Sequence, residues 1–175
     1  MKINIYMFFL IIFVILTVNI ANSQTYESKT ETENVLSEKR LDPFLLSSFG
    51  ISTASNVRNT EITGNSVFLS QIGEFNEANI STNTKSSEIN ITQNGDYNST
   101  DLRYIANTAV SDLVQNGNFN TIKDYVNDPN IDISLDLKQD GDYLNFQREG
   151  VNELTKSLRF IQTEASPSLI IRSYK

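Results

Sequence analysis

Residues 87–98 read SEINITQNGDYN: an alternating stretch, then a Gln, a Gly, an aromatic residue and an Asn. A hairpin accounts for one such phrase, but the chain writes it four times. Gln71-Ile-Gly73-Glu-Phe75-Asn76, Gln93-Asn-Gly95-Asp-Tyr97-Asn98, Gln115-Asn-Gly117-Asn-Phe119-Asn120 and Gln139-Asp-Gly141-Asp-Tyr143-Leu-Asn145 are its copies, and Gln162 follows without the Gly. The Gln positions step by 22, 22, 24 and 23 residues. A period this regular is the mark of a repeat architecture, read before any site is sought.

Upstream of each Gln, the positions two and four before it are Leu69 and Val67, Ile91 and Ile89, Leu113 and Ser111, Leu137 and Leu135, and Phe160 and Leu158. All but Ser111 are large and apolar. Between them stand mostly polar residues, among them Ser70, Asn90, Thr92, Asp112, Asp136, Lys138 and Arg159, with Phe68, Val114 and Ile161 as exceptions. A period of two is that of a strand with one buried face. Val67, Leu69, Ile89, Ile91, Leu113, Leu135, Leu137, Leu158 and Phe160 are therefore the expected core.

A unit of 22–24 residues is too short for a helix pair and divides into two strands and two turns, one rung of a β-solenoid. The expectation is an all-β fold of about five two-strand rungs. Gly73, Gly95, Gly117 and Gly141 supply the positive φ of a tight bend, and Asn tolerates or caps such bends. In the second strand, Ala78 and Ile80, then Thr100 and Leu102, are expected inside. Rungs three and four depart from this pattern: Asp124 follows Ile122, and Gln147 and Glu149 follow Asn145, so irregularity or a bulge is expected there.

Rungs stacked about 4.8 Å apart would place each Gln over the next, where an amide both donates and accepts along the column. A lone buried Gln is costly, whereas a column of them is satisfied. Gln71, Gln93, Gln115, Gln139 and Gln162 are the expected stack. Asn76, Asn98, Asn120 and Asn145 are expected to form a second one, with Phe75, Tyr97, Phe119 and Tyr143 as an aromatic column on the turn.

Composition bounds the surroundings. Lys2 precedes an apolar run from Ile5 to about Val18, and Ala21-Asn-Ser23 offers a cleavage site, so residues 1–23 read as a signal peptide rather than a membrane anchor, and the mature chain carries no span. Residues 24–61, rich in Glu, Ser, Thr and Asn, read as an exposed flexible lead segment before a repeat domain over 62–175. Val57 to Ile62 has a strand-like pattern too weak to count. The whole chain has 14 Lys and Arg against 21 Asp and Glu, net -7, and Lys2 is the only charged residue of the first 23, so the mature chain stands at -8. That charge disfavours nucleic acid as a partner. With no His and no Cys, the usual zinc sites and the nucleophiles built on them are unavailable, and no cofactor is expected.

The phrase Ser87-x5-Gln93-x-Gly95-x-x-Asn98, on units of about 22 residues, resembles the curlin repeat, Ser-x5-Gln-x-Gly-x-x-Asn-x-Ala-x3-Gln. Rung one matches it at Gln71, Gly73, Asn76 and Ala78, and the likeness covers about residues 65–173. The second Gln of the pattern is replaced by Thr82 and Tyr104, and the leading Ser by Asn65 and Ala109. The terminal repeat lacks the turn Gly and carries Arg159, Arg172 and Lys175, which is similar to the minor, nucleating curli subunit; a generic solenoid cap with Pro167 blunting its edge reads the same way. The resemblance implies a secreted, non-enzymatic amyloid subunit of extracellular fibres on a diderm bacterium, active in surface adhesion and biofilm matrix. Its implied partners are a major curlin subunit and copies of itself, with an outer-membrane secretion pore and chaperones. A major subunit and a soluble β-solenoid adhesin are the alternatives. The dense carboxylates Asp132, Asp136, Asp140 and Asp142 read as a solvated face rather than an acid/base pair or a calcium site.

Overall fold

The computed structural model describes residues 42–173. The expected signal peptide, the lead segment up to residue 41, and Lys175 lie outside the described residues. Five strands form one parallel sheet: β1 (Asn65–Ile72), β2 (Ser86–Asn94), β3 (Thr108–Asn116), β4 (Asp132–Asp140) and β6 (Ser157–Thr163), in that spatial order. Two further strands, β5 (Asn145–Arg148) and β7 (Ser168–Ile171), pair in parallel on the opposite side. Above them that side continues as single parallel bridges, Glu77 to Ser99 to Thr121 to Asn145. The chain is a β-solenoid of about five rungs.

Register follows the repeat. Gln71 lies opposite Gln93, Gln93 opposite Gln115, Gln115 opposite Gln139 and Gln139 opposite Gln162. The longer steps of 24 and 23 residues are absorbed between rungs, and strand pairing does not slip. Ile89, Ile91, Leu113, Leu135, Leu137, Leu158 and Phe160 are buried in one cluster with Leu102, Ile122 and Phe146 from the second side. Ser111, the one polar residue in the apolar column, is buried with its hydroxyl against the Tyr104 hydroxyl at 2.8 Å.

Three expectations need correction. Val67 and Leu69 are 50% and 42% exposed, because β1 is the end strand of the sheet and no described residue pairs with its outer edge. The irregularity expected in rung four comes from counting from Asn145; one residue earlier, Leu144, Phe146 and Arg148 are the buried set. Side chains alternate faces along a strand, so a shift of one residue exchanges the whole set.

The third concerns residues 42–61, which do not trail away from the solenoid. A short helix α1 (Pro43–Ser48) is capped by the Asp42 carboxylate accepting from Phe44 N, with Pro43 in its first turn. Leu46 and Ile51 are buried in the same apolar cluster as Phe160 and Ile171. Ser52 and Arg159 then exchange two backbone hydrogen bonds of 2.8 and 2.9 Å, an antiparallel bridge on the free edge of β6. Val57–Thr60 is a single 3-10 turn, not a strand. Arg58 within it pairs with both Glu88 and Asp112, and Asn59 Nδ2 donates to Thr108 Oγ1 and the Ile133 carbonyl. Residues 42–64 thus form a strap from the edge of the last rung, across the outer face of β2–β4, to the start of β1.

Candidate assembly interface

The turn after each first strand is built by backbone approach. Gly73 and Gly95 have φ of 114° and 125°, and a Cβ on either would lie 2.1 Å from the carbonyl oxygen of the Gly in the next rung. No side chain fits there, so the Gly column is set by stacking as well as by φ. Phe75, Tyr97, Phe119 and Tyr143 follow in the left-handed region at φ of 56–58°. Their rings stack with centroids 4.8, 4.9 and 5.0 Å apart.

The five Gln side chains form one continuous column. Gln71 Nε2 donates to Gln93 Oε1 at 2.6 Å, Gln93 to Gln115 at 2.8 Å, Gln115 to Gln139 at 2.9 Å and Gln139 to Gln162 at 2.9 Å. The second N–H of each buried Gln goes to a backbone carbonyl one rung back: Glu77, Ser99, Thr121 and Asn145 in turn. Gln162 has no rung beyond it and also donates to the Ser166 carbonyl. Gln93, Gln115, Gln139 and Gln162 are buried and Gln71 is exposed.

The Asn column runs through Asn76, Asn98 and Asn120 and then changes residue. Asn98 N donates to Asn76 Oδ1 and Asn120 N to Asn98 Oδ1, while each Nδ2 reaches a Gly carbonyl of the next rung, Gly95, Gly117 and Gly141. Below Asn120 it is Leu144 N, not Asn145, that donates to Asn120 Oδ1. Leu144 stands five residues after its Gln, as the three Asn do; Asn145 lies one place further, begins β5 and turns its amide to Ser168 Oγ. Counting from the Gln finds this. The repeat pattern does not show a further column: Asp96, Asn118 and Asp142 each accept, through Oδ1, the backbone N–H one rung back, of Glu74, Asp96 and Asn118.

The irregularity expected near Asp124 is an ion pair inside the core. Arg148 and Asp124 are both fully buried and joined by two bonds of 2.6 Å, and Arg148 Nη1 donates to the Thr155 carbonyl at 3.1 Å. Tyr104 OH donates to Asp124 Oδ2 at 2.9 Å. Burial, reinforced by the Asp124 carboxylate, pushes the Tyr104 phenol well above its ordinary pKa. Burial opposes the Arg148 charge, but Asp124 outweighs it and the guanidinium is held above its usual range. No buried polar side-chain atom among the described residues lacks a partner.

The four dense carboxylates do not converge. Asp132 accepts from Thr108 and Asn107, Asp136 from Arg159, Asp140 from Lys138 and Asp142 from Asn118. The Lys138 ammonium holds the Asp140 carboxyl below its ordinary value. Among the described residues no group of three His, Cys, Asp or Glu is arranged for a metal ion, and no helix is long and apolar enough to cross a membrane.

The two ends of the solenoid differ. The strap lies against the last rung, whereas among the described residues nothing covers the first. Gln71 Oε1 accepts no hydrogen bond from a described residue, and the N–H groups of Gly73, Phe75 and Asn76 have none of the acceptors that their counterparts in rungs two to four find one rung back. Phe75 ends the aromatic column 68% exposed. Open backbone edges of this kind are what an added strand satisfies. The chain matches no protein-family model, no curated protein and no solved structure.

Proposed function

We propose that the chain is a secreted structural subunit of the curlin type, a minor subunit that nucleates an extracellular amyloid fibre at a bacterial surface and so contributes to adhesion and biofilm matrix. The observation that carries this reading is rung one, which no described residue covers: an apolar column ending at Val67 and Leu69, a Gln column ending at an acceptor that no described residue uses, and an aromatic column ending at Phe75, all in one rung. A chain with the same repeat adds a rung there by satisfying groups already held in place. A major curlin subunit as the partner, and a secretion pore with chaperones on the export route, follow from the resemblance of the repeat.

The test is the lag time of fibre growth by a major curlin subunit from the same genome, followed by thioflavin fluorescence with substoichiometric amounts of this chain. The lag is expected to shorten severalfold. A lag that stays unchanged up to equimolar addition removes the nucleator reading and leaves a soluble β-solenoid adhesin in its place.

A further inference from the structure

The bare end specifies its occupant. Across rungs one to four the bonds run in one direction: each Gln amide donates forward to the next Gln, each Asn amide donates forward to the next turn carbonyl, and each Asn Oδ1 accepts an N–H from the next rung. A rung placed before β1 must therefore bring a Gln Nε2 to Gln71 Oε1. It must also bring an Asn Nδ2 to the Gly73 carbonyl and an Asn Oδ1 to Asn76 N. Its residue two after the Gln must be Gly, because a Cβ there would meet the Gly73 carbonyl as a Cβ on Gly73 meets that of Gly95, at 2.1 Å. The occupant is the C-terminal end of another chain whose last rung reads Gln-x-Gly-x-x-Asn.

This chain's own last rung does not read so. Counted from Gln162, the Gly position is Glu164 and the Asn position is Pro167. Glu164 has no positive φ, and Pro has no side-chain amide. The strap is the second obstacle, since Ser52 occupies the β6 edge and Leu46 and Ile51 close the apolar end beside it.

We propose that the chain is deliberately not self-complementary: its first rung accepts the C-terminal rung of a different repeat chain, one that keeps Gln-x-Gly-x-x-Asn and leaves that end uncovered, while Glu164, Pro167 and the strap prevent a second copy of this chain from docking there. It then occupies one end of a fibre and growth proceeds from β1 alone. This rests on the fibre reading and narrows its partner.

The experiment needs only this chain. In a triple variant, Glu164→Gly and Pro167→Asn restore the two missing groups and Ile51→Asp unseats the strap; circular dichroism checks that it keeps the wild-type β content. Sedimentation and thioflavin fluorescence follow assembly. The triple variant is expected to polymerise, while the wild type and the single Ile51→Asp chain stay monomeric at the same concentration. Wild type added at a few per cent should shorten the lag of the triple variant severalfold. Wild type carrying Gln71→Leu should seed about tenfold more slowly, the factor for one lost hydrogen bond of about 1.4 kcal/mol. Polymerisation of the wild type or of the Ile51→Asp chain alone overturns the proposal, whatever the triple variant does. So does a triple variant of native β content that remains monomeric. If the triple variant assembles and is seeded but a major curlin is not, end complementarity holds and the curlin partner fails.

Discussion

At the scale of single residues, the Gly column and the buried ion pair make opposite demands on the chain. Gly95 sits at φ 125° with the Gly117 carbonyl where its Cβ would be, so Gly95→Ala meets both strain and a backbone collision. Urea unfolding should show a loss of more than about 3 kcal/mol, whereas Gly50→Ala, with φ 72° and open space around it, should lose only about 1 kcal/mol. Arg148→Met should cost about 3–5 kcal/mol by leaving Asp124 charged, buried and short of its partner, and Asp124→Leu added to it should recover most of that loss. Tyr104 sets a pH window. Its folded pKa lies above the unfolded value of about 10, so its contribution is complete below pH 10 and is lost as the pH rises beyond it, where only the unfolded chain releases the proton. Stability of Tyr104→Phe should therefore fall less steeply above pH 10 than that of the wild type.

At the scale of elements, the strands hold one another by repetition, while the strap is held at a few points. Arg58 bridges β2 and β3 through Glu88 and Asp112 from a position about one-third exposed, so solvent screening reduces each pair to about 0.5 kcal/mol. The apolar anchors Leu46 and Ile51 carry more of the attachment. Arg58→Ala should lower hydrogen-exchange protection of the Ser52 amide severalfold and leave that of Ile91, inside β2, unchanged. Equal loss at both amides would mean that strap and sheet open as one unit.

Across the whole solenoid, each rung contacts only its neighbours, so the cost of a change depends on its rung. Gln115 accepts from Gln93 and Thr100 and donates to Ser99 and Gln139, whereas Gln71 makes one ladder bond at the open end. Gln115→Leu should cost the isolated chain about 2–4 kcal/mol, from several buried groups left unpaired, and Gln71→Leu only about 1 kcal/mol, from the single Gln93 Oε1 acceptor it leaves unpaired. Chemical denaturation of both variants reads this directly. The end position matters far less for the stability of the solenoid than a position inside it.

By itself the sequence determined the rung: its length, the Gln, Gly and aromatic columns, and most of the apolar core. Each of these is an identical demand repeated at a fixed interval, so one copy predicts its neighbour. Tertiary structure alone decided what does not repeat. Leu144 takes the Asn register because the count from Gln139 prevails over residue type. Asp124 and Arg148 look like defects in separate rungs until stacking brings them within 2.6 Å. The strap returns to β6 because the last rung has an uncovered apolar end near Phe160, and chain distant in sequence supplies Leu46 and Ile51 to close it. Val67 and Leu69 carry the same pattern as Ile89 and Ile91 and differ only in having no rung above them, a fact of position that no local pattern contains.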